Sequence, residues 1–319
     1  IPSVTGVNGE VEALPSGKAW TVRWTGTRYL SGANSIVTFK KTGTITKYRY
    51  GQIQIKLVKV PVLGYRIEVT NTVRLHDEYL WGLGEMPSSW PFASLQAQVI
   101  ASRTYALNKA GKIRSACDCN LYNASQDQSF IGYAKEAEPR YGKIWKSAVT
   151  STSVESNTGL AVLYNSKPIG TYFFSSSAGQ TETSKNVWGT DLPYIASMPD
   201  PWSLNPAINP KYFEWVRTVS QSVLATAFEL PDVVFIQETG LHDNATQLKI
   251  SGTSSDGRVV TITGEQFRSR TRLPSAWFGV VGPTIIAASP SPTPTQLPSQ
   301  SPTPTQLPSP TPTSVGMQD

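Results

Sequence analysis

The first seventy residues alternate between apolar and polar side chains in several short segments. The runs at 19–24, 35–39, 51–57 and 65–69 show this alternation most clearly. A period of two is typical of strands with one buried and one solvated face. The pattern therefore predicts a β-rich N-terminal part over residues 1–70.

The pattern changes to a helical one after residue 70. A short helix is predicted at 76–83, then an abrupt turn, then a long helix from Ser94, because serines and a proline suited to a helix start precede a continuous helix-compatible run. Residues seven apart share a helix face. Gln96 and Arg103 are thus expected on a polar stripe. The inward-packing side is expected to hold Leu95, Val99 and Ser102.

The remaining segments mix both periodicities. The expected elements are a loop with an edge strand at 123–133, a hairpin of 160–164 with 168–174, a helix at 219–228, and strands at 233–238, 247–251 and 259–262. This order predicts a mixed α+β fold, not alternating βαβ units. We expect mixed sheets and one long central helix next to the turn that follows residue 83. We divide the chain into the β-rich part, a core at 71–280 and a tail at 281–319.

The tail has a composition of its own. Ten of the 24 prolines lie from Pro283 onward. They belong to a segment rich in Pro, Ser and Thr, and part of its sequence is repeated from Ser301. Such a segment has too few apolar side chains to offset the entropy of ordering, so we predict a disordered, semi-rigid extension. It could serve as a spacer through a wall or carry O-linked sugars, or it could be an inert end.

Composition excludes some classes of function. The chain has 319 residues, 39% of them hydrophobic, enough for a substantial core. The formal charge of +6 comes from scattered basic residues, which argues against a nucleic-acid partner. No apolar run approaches the roughly 18 residues of a membrane span, so none is expected in this chain.

Two cysteines, Cys117 and Cys119, leave two alternatives open. They could form a small-ring disulfide or contribute to a metal site. Tetrahedral zinc needs four ligands, and the only histidines are His76 and His242. We therefore predict no metal and no other cofactor.

The most informative segment is Gly82-Leu-Gly-Glu85-Met-Pro-Ser-Ser, which puts one carboxylate at a turn before the long helix. Together with the Ala-Gln-x-x-x-x-Arg-Thr-Tyr pattern ending at Tyr105, it resembles the sporulation stage II protein D / LytB family. The resemblance spans roughly residues 48–278. Further matching segments begin at Tyr172, Val187, Leu192, Asp200, Gly264 and Leu273. The chain departs from the family at 93–96, where enzymatic members have Glu-Ala-Leu-Lys.

The resemblance implies a secreted or extracytoplasmic, cell-wall-associated protein. Enzymatic members of the family are lytic transglycosylases acting on peptidoglycan glycan strands. No second carboxylate accompanies Glu85, so Glu85 would act first as acid and then as base, giving a 1,6-anhydromuramyl end. This requires Glu85 to be protonated near neutrality, which apolar surroundings would favour. The residues that the resemblance implies for glycan binding are Arg103, Tyr105, Tyr172, Ser175, Ser176, Ser177, Gln180 and Thr181.

Two alternatives remain open. Glu85 could instead form a salt bridge, with Arg103 as the partner, which would disqualify it as an acid. The whole protein could also be a non-catalytic wall-binding module that modifies a partner amidase, as LytB-type members are thought to do. The sequence does not distinguish stripped from peptide-bearing glycan, or a sporulation role from a vegetative one.

Overall fold

The computed structural model describes residues 3–5, 11–13, 17–41, 43–155, 157–240 and 249–280. The tail predicted at 281–319 lies outside these residues. The chain divides into two compact units, residues 1–213 and residues 214–319. The fold is mixed α+β with several small sheets, as the sequence predicts.

The N-terminal part of the first unit consists of antiparallel strands. A three-stranded sheet has the order β3-β6-β7, and two hairpins, β1-β2 and β4-β5, accompany it. The strands are β1 (Ser3–Thr5), β2 (Val11–Ala13), β3 (Ala19–Val22), β4 (Val37–Lys41), β5 (Thr44–Tyr48), β6 (Gln52–Val60) and β7 (Gly64–Thr72). Alternation along β6 buries Ile53 and Ile55 against Trp24, which confirms the strands predicted here.

The helices of this unit follow the N-terminal strands. A π-helical turn, Leu75–Tyr79, precedes α1 (Phe92–Ala110). The later helices are α2 (Tyr133–Glu136), α3 (Tyr141–Ser151) and α4 (Ser184–Trp188). Helix α3 was not predicted, although its apolar residues recur at helical spacing and bury Trp145, Ala148 and Val149 in the core.

Helix α1 packs its apolar face on this core. Leu95, Val99 and Ser102 are buried, as predicted. The prediction that Arg103 lies on a polar stripe is wrong, because Arg103 is fully buried. Its guanidinium hydrogen-bonds to protein carbonyls that take the place of water.

Short strands follow α3. They are β8 (Ser153–Glu155), β9 (Thr158–Gly159), β10 (Leu163–Tyr164) and β11 (Lys167–Pro168). The hairpin predicted around residue 165 is present as β10-β11, but each strand has only two residues. The edge strand predicted within 123–133 is reduced to one bridge between Leu83 and Phe130.

A buried carboxylate joins the N-terminal strands to the helices. Glu136 on α2 accepts hydrogen bonds from Arg49 (3.0 Å), Tyr50 (2.8 Å) and Lys146. Burial alone would raise the pKa of Glu136, but hydrogen bonds from Lys146 and Tyr50 and the charges of Lys146 and Arg49 hold it below its usual value.

The second unit combines two helices with one sheet. Its elements are α5 (Gln221–Phe228), β12 (Phe235–Glu238), β13 (Lys249–Thr253), β14 (Val259–Thr263) and α6 (Gly264–Thr271). The strands form an antiparallel sheet in sequential order, and a helix and three strands fall where the sequence predicts them. Phe228, Ile250 and Phe267 lie in its core. Across the described residues, no helix is long and apolar enough to span a membrane.

Candidate active site

The turn that carries Glu85 is clamped to a facing segment, residues 129–131. The Gly84 amide donates to the Ser129 carbonyl, and the Ile131 amide donates to the Gly82 carbonyl, both at 2.8 Å. A Cβ added at Gly82 would lie 2.4 Å from a ring carbon of Phe130, and one at Gly84 would lie 2.9 Å from Ile131. The two glycines therefore leave room for the side chains of Phe130 and Ile131 against the turn.

The carboxylate of Glu85 is held by a backbone donor. The amide of Ser129 donates to Oε1 of Glu85 at 2.5 Å, and Glu85 is half-buried. The alternative in which Glu85 forms a salt bridge to Arg103 is wrong, because Arg103 has other partners. Glu85 forms no ion pair with any described cation. It is thus a carboxyl group oriented by one backbone donor, with no basic side chain among the described residues as its partner.

The loop that supplies the Ser129 amide is fixed by Asp127. The Asp127 carboxylate accepts two hydrogen bonds from Arg114 (2.6 and 2.8 Å), one from the Tyr105 hydroxyl (2.8 Å) and one from the Tyr122 amide (2.8 Å). Burial alone would raise the pKa of Asp127, but these hydrogen bonds and the charge of Arg114 lower it. Asp127 is a saturated structural carboxylate.

Gln128 lies between Asp127 and Ser129 and is fully buried. The Tyr79 hydroxyl donates to its Oε1 at 2.7 Å, while its Nε2 has no hydrogen-bond partner among the described residues. Burial, followed by the negative charges of Glu85 and Asp127, raises the pKa of Tyr79 and keeps the phenol protonated as a donor. Since Gln128 accepts this hydrogen bond, Tyr79 also holds the loop in place.

Arg103 supports the site from inside the core. Its guanidinium donates to the carbonyls of Thr152 (3.3 Å) and Leu160 (2.9 Å) and to the Thr152 hydroxyl (3.0 Å). A Cβ at Gly159 would lie 2.7 Å from the guanidinium carbon, so the chain passes close over it. Arg103 joins α1 to the segment that leads into the β10-β11 hairpin.

Tyr105 connects the loop to an exposed aromatic pair. Its ring meets that of Tyr172 edge-on at 6.2 Å between centroids, and Tyr172 packs against Trp188 at 4.4 Å. Tyr105 is buried, whereas Tyr172 and Trp188 are exposed. Trp202 is also exposed.

The remaining predicted residues belong to one serine-rich loop, residues 175–181. Ser177 donates to Asp200 at 2.6 Å, and Ser176 accepts from Asn209 at 3.1 Å. Gln180 and Thr181 face an antiparallel segment, residues 196–199. Gln180 donates to Ser197 at 2.7 Å, and Thr181 donates to the Ala196 carbonyl at 3.3 Å and accepts from the Met198 amide at 2.8 Å. Ser175 is exposed.

The structure therefore brings the predicted residues together in two groups. Tyr105 is linked to Glu85 through the Asp127 loop and to Tyr172 by ring contact, while the serine-rich loop is held by residues 196–209. No hydrogen bond joins that loop to Glu85 within the described part of the chain. The sequence reasoning missed Asp127, Gln128 and Ser129, whose only signal was two polar side chains beside an aromatic in a loop.

Cys117 and Cys119 form a disulfide, which selects one of the two alternatives for this pair. It closes a tight turn in which the Arg114 amide donates to the Cys119 carbonyl at 2.9 Å. The turn thus begins at Arg114, the residue whose side chain forms the ion pair with Asp127. Among the described residues, no cluster of three or more His, Cys, Asp or Glu could hold a metal ion.

Residues 64–158 match the model of the stage II sporulation protein family, SpoIID. The resemblance inferred from the sequence motifs is thereby confirmed over these residues. The match includes Glu85, Arg103, Tyr105 and the Asp127 loop. The predicted glycan-binding residues from Tyr172 onward lie beyond it.

Individual relatives are similar over a longer stretch. The chain is 31% identical over 142 residues to the amidase enhancer of Bacillus subtilis (strain 168), covering 44% of this chain and 17% of that protein. It is 29% identical over 189 residues to stage II sporulation protein D of the same strain, covering 56% and 54%. The protein D of Bacillus amyloliquefaciens is 30% identical over 173 residues, covering 51% and 48%. The chain spans about half or less of these curated relatives, which support a cell-wall-related role.

Proposed function

We propose that this protein is a peptidoglycan lytic transglycosylase that cleaves the bond between MurNAc and GlcNAc outside the cytoplasm. The observation that carries the proposal is the environment of Glu85. Its carboxylate is oriented by the Ser129 amide, is half-exposed to an incoming substrate and forms no ion pair with a described cation. An oriented and partly exposed carboxyl group suits the role of a general acid that must reach a glycosidic oxygen.

The reaction needs only one carboxylate. Protonated Glu85 donates its proton to the GlcNAc oxygen as the glycosidic bond breaks at the anomeric carbon of MurNAc. The C6 hydroxyl oxygen of the same MurNAc then bonds to that carbon and gives its proton to the Glu85 carboxylate. The product is a 1,6-anhydro ring, the acid is regenerated, and no water is consumed.

A hydrolase would instead need a second carboxylate as base or nucleophile. Asp127 is the acid closest in the chain to the Ser129 amide that orients Glu85. All four of its lone-pair positions are occupied by donors, and its side chain is 1% exposed. It therefore cannot activate water or attack an anomeric carbon, which favours the single-acid reaction.

Glycan binding is proposed to involve the exposed aromatic pair. The faces of sugar rings stack on aromatic side chains, and Tyr172 and Trp188 offer adjoining exposed rings. Ser175 and Ser176, with Gln180 and Thr181, would supply polar contacts, whereas the Ser177 hydroxyl is buried and donates to Asp200. Arg103 and Tyr105 are buried, so we assign them to positioning α1 and the Asp127 loop.

The test uses the purified protein with isolated glycan strands, both stripped and peptide-bearing, and mass spectrometry of the products. Anhydromuramyl ends are expected with the native protein and none with Glu85→Gln. Glu155→Gln, the same change at an exposed position of the same unit, is the control and should retain activity. An active Glu85→Gln variant would remove Glu85 from the mechanism.

A second function, modification of a partner amidase without catalysis, is favoured by the similarity to the amidase enhancer. It predicts that the protein binds glycan and raises the rate of an N-acetylmuramoyl-L-alanine amidase, with Glu85→Gln as effective as the native protein. Stimulation without anhydromuramyl products would establish this function in place of the first.

A further inference from the structure

The β6-β7 hairpin extends beyond the sheet to which it belongs. Strand β3 pairs with β6 only as far as Lys56, opposite Ala19, whereas β6 and β7 continue together to the pair Val60 and Gly64. The last four residue pairs thus form a two-stranded projection. At about 3.3 Å per residue, it reaches roughly 13 Å past the third strand.

The end of this projection is apolar and faces solvent. Val62 is 105% exposed, and Leu63, Tyr65 and Ile67 are each more than half exposed. None of the four belongs to a hydrophobic core of the described residues. We call these four residues the apolar tip.

Isolated exposed apolar residues are ordinary, but a cluster at the end of a projecting hairpin is not. The register places Tyr65 and Ile67 on the same sheet face as Leu57, so the tip continues an apolar face that is buried nearer the sheet. The sheet therefore presents an apolar extension that no hydrophobic core of the described residues covers.

Two basic residues, Lys59 and Arg66, lie beside the apolar tip. Lys59 pairs with Tyr65 and Arg66 with Val58, so a cation lies on each face of the projection. Neither cation forms an ion pair with a described carboxylate. Lys56, at the base, is already paired with Asp118. The tip thus combines exposed apolar side chains with two cations that form no ion pair among the described residues.

We propose that the apolar tip inserts into an anionic lipid surface and holds the protein peripherally on a membrane. Val62 and Leu63 would enter the boundary between headgroups and acyl chains. Tyr65 suits the interface, where an apolar ring and a polar hydroxyl are both accommodated. Lys59 and Arg66 would face the lipid phosphates.

The charges select this occupant over a second copy of the chain. In a two-fold pairing of the same tip, Lys59 and Arg66 of each copy would meet those of the other without a carboxylate from the tip to offset them. An anionic surface offsets both charges at once. This binding is independent of the proposed reaction at Glu85.

The experiment is co-sedimentation of the full chain with vesicles of phosphatidylcholine containing phosphatidylglycerol, and with vesicles of phosphatidylcholine alone. Binding is expected on the anionic vesicles and should weaken with added salt. The double variant Val62→Ser with Leu63→Ser should lose about tenfold or more of the partition coefficient. Lys59→Gln and Arg66→Gln should each lose about fivefold, on anionic vesicles only.

The control variant combines Ile113→Ser and Val154→Ser, two changes at side chains that are 72% and 71% exposed in the same unit. It should bind like the native protein, and circular dichroism checks that all variants are folded. Absence of binding by the native protein, or undiminished binding by the tip variant, would overturn the proposal. Light scattering that shows a dimer abolished by the tip variant would assign the tip to a second copy instead.

Discussion

Replacing Asp127 with asparagine is expected to release the loop that orients Glu85. The substitution keeps the shape of the side chain but removes its charge. It also places an N–H₂ group opposite the donors of Arg114, Tyr105 or the Tyr122 amide. At least one of these donors then loses its acceptor, and the Arg114 guanidinium loses its counter-charge.

The size of the effect follows from burial. The Asp127 side chain is 1% exposed and that of Arg114 is 30% exposed, so the pair is shielded on one side only. Breaking a fully buried pair costs about 3–5 kcal/mol, and a surface pair contributes at most about 1 kcal/mol. We therefore expect Asp127→Asn to lower the free energy of unfolding by about 2–4 kcal/mol.

The assay is urea denaturation at several pH values. Because the pKa of Asp127 is lowered in the folded state, its stabilisation is fully present above about pH 4 and is lost as pH falls through the folded pKa. The difference between native protein and variant should therefore shrink below about pH 4.

Asp118→Asn is the matched control, since Asp118 lies in the neighbouring disulfide turn and its side chain is 48% exposed in its pair with Lys56. It should cost at most about 1 kcal/mol. Asp127→Asn behaving like this control would refute the claim that Asp127 holds the loop.

Three further outcomes are expected. Gly82→Ala should lower the free energy of unfolding by about 1–3 kcal/mol in urea, because its Cβ would lie 2.4 Å from a ring carbon of Phe130, and an unchanged midpoint would contradict this contact. Replacing Cys117 and Cys119 with serine should cost about 1–2 kcal/mol for so short a loop, and reductant should lower the melting temperature of the native protein but not of the variant. Glu136→Gln should lower the free energy of unfolding at neutral pH by about 2–4 kcal/mol. The difference from the native protein should shrink below about pH 4, because the pKa of Glu136 is lowered in the folded state, and a pH-independent difference would count against its pairing with Arg49 and Lys146.

The local elements of the fold were predictable because the spacing of apolar residues along the chain indicates strands and helices. The alternation along β6 and the buried face of α1 are both visible in the sequence. Helix α3 was missed, although Trp145, Ala148 and Val149 show helical spacing, because its N-cap residue, Arg140, provides no side-chain cap. Burial of Arg103 could not be predicted, since its partners lie about fifty residues away in the chain.

The candidate site was predictable only in its first member. Glu85 stands out because the turn around it is unusual. The sequence does not show why glycine stands at positions 82 and 84, where an added Cβ would meet Phe130 and Ile131. The loop at 127–129 has no such local signature. Its residues matter because Arg114 and Tyr105 hydrogen-bond to Asp127. These two contacts join residues that are 13 and 22 positions apart in the chain.

The central claim, that Glu85 alone serves as acid and base, is tested most directly by product analysis in water enriched with heavy oxygen. Glycan strands are digested with the native protein, and the new ends are examined by mass spectrometry. The claim predicts anhydromuramyl ends without the label, since the C6 hydroxyl attacks and water does not take part. Labelled reducing ends formed by the native protein would show hydrolysis and would contradict the single-carboxylate mechanism.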